Sequence, residues 1–279
     1  VTVEATPSTE PETAATSEPE TVAEPEALPG TERNPRIQYI EIQGYTFALL
    51  NYTYGTNLAT YPSDAEGHLD MLCDYNRKNR MLNFTALNDY VLPDIYEAKL
   101  TSDFVIVFPH WGNEYQTSAS PYQEAWAKMF ADAGADLIIG CHPHVVQPVT
   151  KVTSDLGNEV LCYYSLGNYA SLQRQRRAMF EAMAWVTLTD DEEGNLHIVE
   201  EESGALPMVM QYTTGARFQA VVPLDEYTES LANAHGIITR GEGKLSITDM
   251  NKWADDLMGS YRLSREDIMS RLTPVEEKE

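Results

Sequence analysis

Two apolar runs, Phe104-Val105-Ile106-Val107-Phe108 and Ala135-Asp136-Leu137-Ile138-Ile139-Gly140, constrain this chain more than any other feature. Apolar runs of this kind, with little polar alternation, belong to strands covered on both faces, as in parallel sheets. Between them, Pro121 to Ala133 (PYQEAWAKMFADA) starts with proline, carries apolar residues at helical spacing and is closed by Gly134. Strand, helix, strand is a crossover unit, so the two strands run parallel and finish at the same edge of one sheet. Both finish in polar clusters that contain histidine: Pro109-His110-Trp111-Gly112 and Cys141-His142-Pro143-His144.

Ligands of open α/β sheets bind outside that edge. His110, His142 and His144 are therefore gathered at one place by the topology. Imidazole nitrogen is a common neutral ligand of Zn, Mn and Fe ions. One histidine would read as an ordinary polar turn residue, but three at strand ends read as candidate metal ligands. Period two puts both side chains of the His-x-His pair on one face, and Pro143 stiffens the segment. Gly112, Gly140 and Gly167 suit tight turns or close backbone approach.

The rest follows the same α/β rhythm. Arg36 to Ile42 alternates polar and apolar residues, Gly44 turns the chain, and Tyr45 to Tyr52 is a second strand. Leu87 to Leu100 is helical after Pro93. Glu159 to Ser165 is a strand stopped by Leu166-Gly167-Asn168. Trp185 to Thr189 and Leu196 to Val199 flank an acidic turn, Arg217 to Val222 is a last strand, and Glu226 to Ala234 and Ile247 to Ser264 are helices packed on the outside of the domain or against whatever completes it. The predicted fold class is α/β, with mixed sheets flanked by helices. Residues 1–34, rich in Glu, Pro and Thr, cannot bury enough surface to offset ordering and form a disordered linker. Residues 35–225 form the domain and 226–279 a helical extension.

A formal net charge of −24 excludes nucleic acid as a partner, because no excess of Lys and Arg exists to displace counterions from phosphate. The acidic runs Asp190 to Glu193 and Glu200 to Glu202 are solvated surface. No apolar stretch is long enough to cross a bilayer, and the chain as given reads as soluble. The three cysteines have no metal or disulfide spacing, and Cys141 and Cys162 read as small buried hydrophobes. Gln173-Arg174-Gln175-Arg176-Arg177 is the one basic cluster. It reads as a solvated charge run, with reception of an anionic substrate as the alternative. His68, His197 and His235 stand alone and read as surface residues.

The runs DFVIVFPHWGNEY, YQEAWAKMFADAGADLIIGCHPHVVQPV and YYSLGNYAS closely resemble the CapA family of capsule and poly-γ-glutamate synthesis, a branch of the calcineurin-like metallophosphoesterases. The resemblance extends from NYTYGTN, beginning at Asn51, to about Leu224. It implies a partial metallophosphatase sandwich in which His110, His142 and His144 ligate divalent Mn, Fe or Zn, as part of a dinuclear centre in the full-length protein. It favours Glu114 as a general base or as a carboxylate orienting an imidazole. Asn168 would donate hydrogen bonds to a substrate oxygen or form the turn, while Trp111 and Tyr115 pack at the pocket wall. The implied partners are an anionic polymer or a phosphate-containing small molecule, and other membrane-bound polymer-synthesis subunits. The implied location is extracytoplasmic or at the cell surface, with a membrane anchor in the full-length protein. Such proteins carry an earlier half with two Asp-containing motifs and an Asn-Asn-His segment, absent here. The sequence therefore resembles the carboxyl-terminal half of the domain, from a longer parent or as a divergent remnant. Both a metal-dependent hydrolase and a non-catalytic scaffold or export subunit fit it.

Overall fold

The computed structural model describes residues 34–55, 69–73, 75–76, 81–215 and 219–272. The acidic linker before Asn34, His68, and Arg217 and Phe218 of the expected last strand lie outside the described residues. Strands β1 (Ile37–Ile42) and β2 (Tyr45–Thr53) form an antiparallel hairpin. Its two-residue turn, Gln43 and Gly44, has φ of 54° and 88°, the paired left-handed conformations that match the twist of the flanking strands. A short ribbon of β3 (Tyr75–Asn76) and β4 (Met81–Leu82) precedes helix α1 (Val91–Thr101), which leads into β5 (Phe104–His110). Helix α2 (Pro121–Ala133) starts where the sequence says it should. Ser120 accepts from the Gln123 backbone N–H while the Gln123 side chain accepts from Ser120, and Gly134 ends the helix at φ 110°. Strands β6 (Leu137–Ile139), β7 (Val149–Thr153) and β8 (Glu159–Tyr163) follow.

These strands make a six-stranded sheet in the order β1-β2-β5-β6-β8-β7. Strands β2, β5, β6 and β8 are parallel, and the two edge strands are antiparallel to their neighbours. The crossover expected from the sequence is thus present, and β5 and β6 end side by side. Alternation along β5 divides the interior. Val105 and Val107 pack with Ile95 and Ala98 of α1 and Phe130 of α2, whereas Phe104 packs into a second cluster with Leu161 and Tyr163.

The chain continues through β9 (Phe180–Trp185), β10 (Leu188–Asp190), β11 (Leu196–Ile198), β12 (Gly204–Tyr212) and β13 (Gln219–Pro223). That second cluster lies against the three-stranded sheet β13-β12-β9, while β10 and β11 form a separate ribbon. Sequence patterning misplaces this part. The expected strand Trp185 to Thr189 is the end of β9 plus the start of β10, which pairs with β11 instead. Strand β12 (GALPMVMQY) is buried along its whole length, yet its Gly and Pro are residues that normally argue against a central strand. Of the two placements expected for the last helices, the outside one is corrected. Helices α3 (Glu229–Ala234), α4 (Ile237–Arg240) and α5 (Ile247–Met258) contribute Ala232, Ile237, Met250, Ala254 and Met258 to the core shared by the two sheets. The long helix expected to Ser264 breaks after Met258, and α6 (Arg265–Arg271) restarts with its own Ser264 cap.

Strand β9 holds a costly residue. Glu181 is fully buried, and neither carboxylate oxygen has a hydrogen-bond partner among the described residues. Burial pushes its pKa up to about 9, so the folded protein keeps this proton at neutral pH while the unfolded chain loses it above about 4.5. The folded state therefore binds more protons across that window, and stability falls as pH rises through it, by about 3 kcal/mol at pH 7. Glu181→Met, of similar volume and opposite Met208 in the ladder, is expected to be more stable than wild type at pH 8. The gap should close towards pH 4.5. Urea unfolding at several pH values checks this, and a pH-independent difference would refute it.

Candidate metal centre

The carboxyl edge of β5 and β6 assembles the site. His110 is the last residue of β5, and its backbone carbonyl accepts from the Tyr54 N–H at 2.8 Å. Beyond Ile139 the chain makes one more parallel bridge, His110 to Cys141. It then leaves the strand direction: His142 and His144 have φ of 103° and 61°. The period-two argument for this pair is therefore corrected. The residues sit in a strained turn, not on a strand, and left-handed backbone at two non-glycine positions is held only where the surroundings fix it.

The turn nevertheless brings the rings together. His110 and His142 ring centroids are 4.6 Å apart, and those of His142 and His144 are 6.1 Å apart. Tyr54 covers the group, parallel to His110 at 5.9 Å and tilted against His142 at 4.5 Å. Burial, then the proximity of His110 and His144, lowers the His142 pKa to about 4. Burial and then His144 lower that of His110. Both rings are neutral at pH 7 and keep a lone pair free to ligate.

Asn168 stands at the start of a loop and acts on His144. Its Nδ2 donates to the carbonyls of His144 at 3.0 Å and Ala178 at 3.2 Å, which turns Oδ1 to face His144 Nδ1 at 2.9 Å. The Nδ1–H of His144 therefore donates, and Nε2 carries the lone pair, the usual arrangement in which a neighbour fixes a ligand's tautomer. Glu114 is an exposed loop residue whose charge, after burial, raises the Tyr54 pKa. Tyr115, at φ 63°, stacks on His144 with centroids 5.8 Å apart. Trp111 is not at the wall but beneath it, fully buried between Phe130 and Tyr164.

Three residues escaped the sequence. Tyr54 lies in the NYTYGTN segment but carries no ligand chemistry to single it out. Cys141, expected to be buried, is exposed, with Sγ 3.4 Å from His110 Nδ1, because the turn after β6 rotates it outwards. Asp70 has no motif around it, yet it lines a cleft of about 960 Å³ together with Asn51, Thr53, His110, Cys141 and Asn168. Of the histidines expected on the surface, His197 is exposed. His235 is buried, with Nε2 donating to the Met210 carbonyl at 2.8 Å and Nδ1 accepting from Ile237 N–H at 2.9 Å. It is a structural residue.

The donor set fits a divalent ion in its chemistry, with His110 and His142 held neutral by burial and His144 oriented by an amide. It supplies part of a ligand set: among the described residues, no three His, Cys, Asp or Glu side chains are arranged to hold one ion between them.

The pattern of the family described as bacterial capsule synthesis protein PGA_cap matches residues 27–173. That is more than half of the chain, and the chain belongs to this family. The PGA biosynthesis protein CapA of Bacillus subtilis (strain 168) is 30% identical over 165 residues, covering 58% of this chain and 38% of that protein. The capsule biosynthesis protein CapA of Bacillus anthracis is 39% identical over 115 residues, 40% of this chain and 27% of that protein. The matched region thus spans well under half the length of these relatives. Among solved structures, the NAD nucleotidase of Haemophilus influenzae aligns over 79% of this chain and 41% of its own at 9% identity and a TM-score of 0.33. No helix among the described residues is long and apolar enough to cross a membrane.

Proposed function

We propose that this chain carries His110, His142 and His144 as part of a divalent-metal centre in a capsule or poly-γ-glutamate synthesis protein, and that the centre serves a hydrolytic reaction at the cell surface. The observation that supports this most is the contact of three imidazoles at the carboxyl edge of parallel strands, in a chain of the capsule synthesis family. A bound ion such as Mn, Fe or Zn would polarise an ester or amide oxygen and lower the pKa of water. His110, His142 and His144 would supply part of its ligand set. Asn168 keeps His144 presenting Nε2, Tyr54 covers the rings, and Glu114 would act as the base that takes up a proton.

The second reading is a non-catalytic subunit that scaffolds or guides the polymer during export. It is favoured by the incomplete grouping of ligating side chains among the described residues. Hydrolysis of a generic phosphodiester by the longest natural form of the protein, with added Mn²⁺ or Zn²⁺, separates the two. The hydrolase reading expects turnover that falls at least about a hundredfold in His142→Ala. Absence of turnover under every metal condition would leave the scaffold reading.

A further inference from the structure

The segment Gln173 to Arg177 reads from sequence as a solvated charge run, and the structure instead gives it a built environment. It lies on an excursion whose two ends are pinned at the histidine site, because Asn168 holds His144 and also donates to Ala178 O at 3.2 Å. Tyr115, stacked on His144, donates its hydroxyl to Gln173 Oε1 at 3.0 Å. From the other side, Glu242 N–H donates to Arg174 O at 3.1 Å, and Arg176 N–H donates to Glu242 Oε2 at 2.9 Å. Gly241 makes this approach possible, since a Cβ there would stand 2.1 Å from Arg174 O.

The arginines are then divided by task. Arg177 lies over the Trp253 ring at 4.1 Å and is engaged in packing. Arg174 is exposed, and Arg176 Nε is buried with no hydrogen-bond partner among the described residues. Arg240 lies 5.8 Å from the centroid of Tyr212, whose hydroxyl reaches Gln173 O at 3.5 Å. Arg240 directly precedes Gly241 and Glu242, which pack on the Arg174 carbonyl and the Arg176 N–H, so the three arginines lie on adjoining segments. The carboxylate placed among them is Glu242, and its Oε2 is already engaged by the Arg176 backbone.

A buried donor without a partner is costly. Guanidinium groups are the donors best shaped for carboxylate and phosphate oxygens. In a chain of net charge −24, a local group of cations beside the cleft draws anions to that point.

We propose that Arg174, Arg176 and Arg240 form an oxyanion subsite beside the histidine cluster, holding a carboxylate or phosphate group of the substrate. This rests on the histidines being the reaction centre. The test is calorimetric titration of the 279-residue chain, in EDTA, with inorganic phosphate and separately with a glutamate trimer. At least one probe should bind, more weakly as salt is raised. The double variant Arg174→Gln with Arg240→Gln, both at exposed positions, should weaken it about tenfold or more. Lys252→Gln, on the exposed face of α5, should not. Binding of the trimer alone identifies a carboxylate subsite, and binding of phosphate alone a phosphate subsite. If neither probe binds, or the double variant binds as wild type does, the proposal is overturned. Because EDTA removes divalent ions, failure of the metal reading leaves this result unaffected.

Discussion

Gly140→Ala is expected to cost more than about 3 kcal/mol, beyond the usual range for adding one methyl group to a packed interior. A Cβ at this position would stand 2.2 Å from the Tyr164 carbonyl oxygen and 2.4 Å from Trp111 Nε1. Those two atoms already hydrogen-bond each other at 2.9 Å, so the methyl would land on an existing bond between a fixed carbonyl and a fully buried ring. Nor can the glycine retreat. Its N–H donates to Tyr163 O at 2.7 Å, and its carbonyl accepts from Leu166 N–H at 3.4 Å. The next residues are Cys141 and His142, so the same strain would displace the turn that carries two of the candidate ligands. Urea unfolding measures the loss, and a variant within 1 kcal/mol of wild type, well below the overpacking range, would contradict the packing described.

Asp94→Ala is expected to cost about 3 kcal/mol. Asp94 is a buried carboxylate in the first turn of α1. It accepts from Arg36 at 2.6 and 2.8 Å, from Asn34 at 2.7 Å and from Tyr52 at 3.2 Å. Removing one partner of such a pair strands the other, which costs about 3–5 kcal/mol when both are buried. The Arg36 side chain is 33% exposed and regains some water, which places the loss at the lower end. The tie fastens the entry of the chain to α1. Asp94→Asn, which keeps some hydrogen bonds and loses the charge, should fall between wild type and Asp94→Ala in thermal unfolding. Equal stability of Asp94→Ala and wild type would show that the pair contributes nothing net.

The part of the fold that positions the site was legible because its signals are local and redundant. FVIVF and LII are apolar on both faces, the Ser120–Gln123 capping box and Gly134 bracket α2, and Gln43-Gly44 is a turn by backbone chemistry alone. The second sheet was not legible. Strand β9 carries Glu181 on a buried face and β12 carries Gly204 and Pro207, so each breaks the composition rule for its place and is held by tertiary packing. At the site, the histidines announce themselves by residue type. The φ values of His142 and His144, the outward turn of Cys141, and the approach of Tyr54 and Asp70 depend on where separate segments meet. No spacing rule reports that. Burial of His235 was missed for the same reason, since its partners Met210 and Tyr212 come from another strand.

The proposal that His110, His142 and His144 contribute ligands to a divalent-metal centre is tested most directly by titrating the metal-free chain with Co²⁺ and following the visible absorption of the ion. Wild type should develop a saturable band that is lost or strongly weakened in His110→Ala and in His142→Ala, and that persists in His197→Ala, whose ring is exposed elsewhere. No band in wild type, or an unchanged band in the first two variants, would contradict the claim.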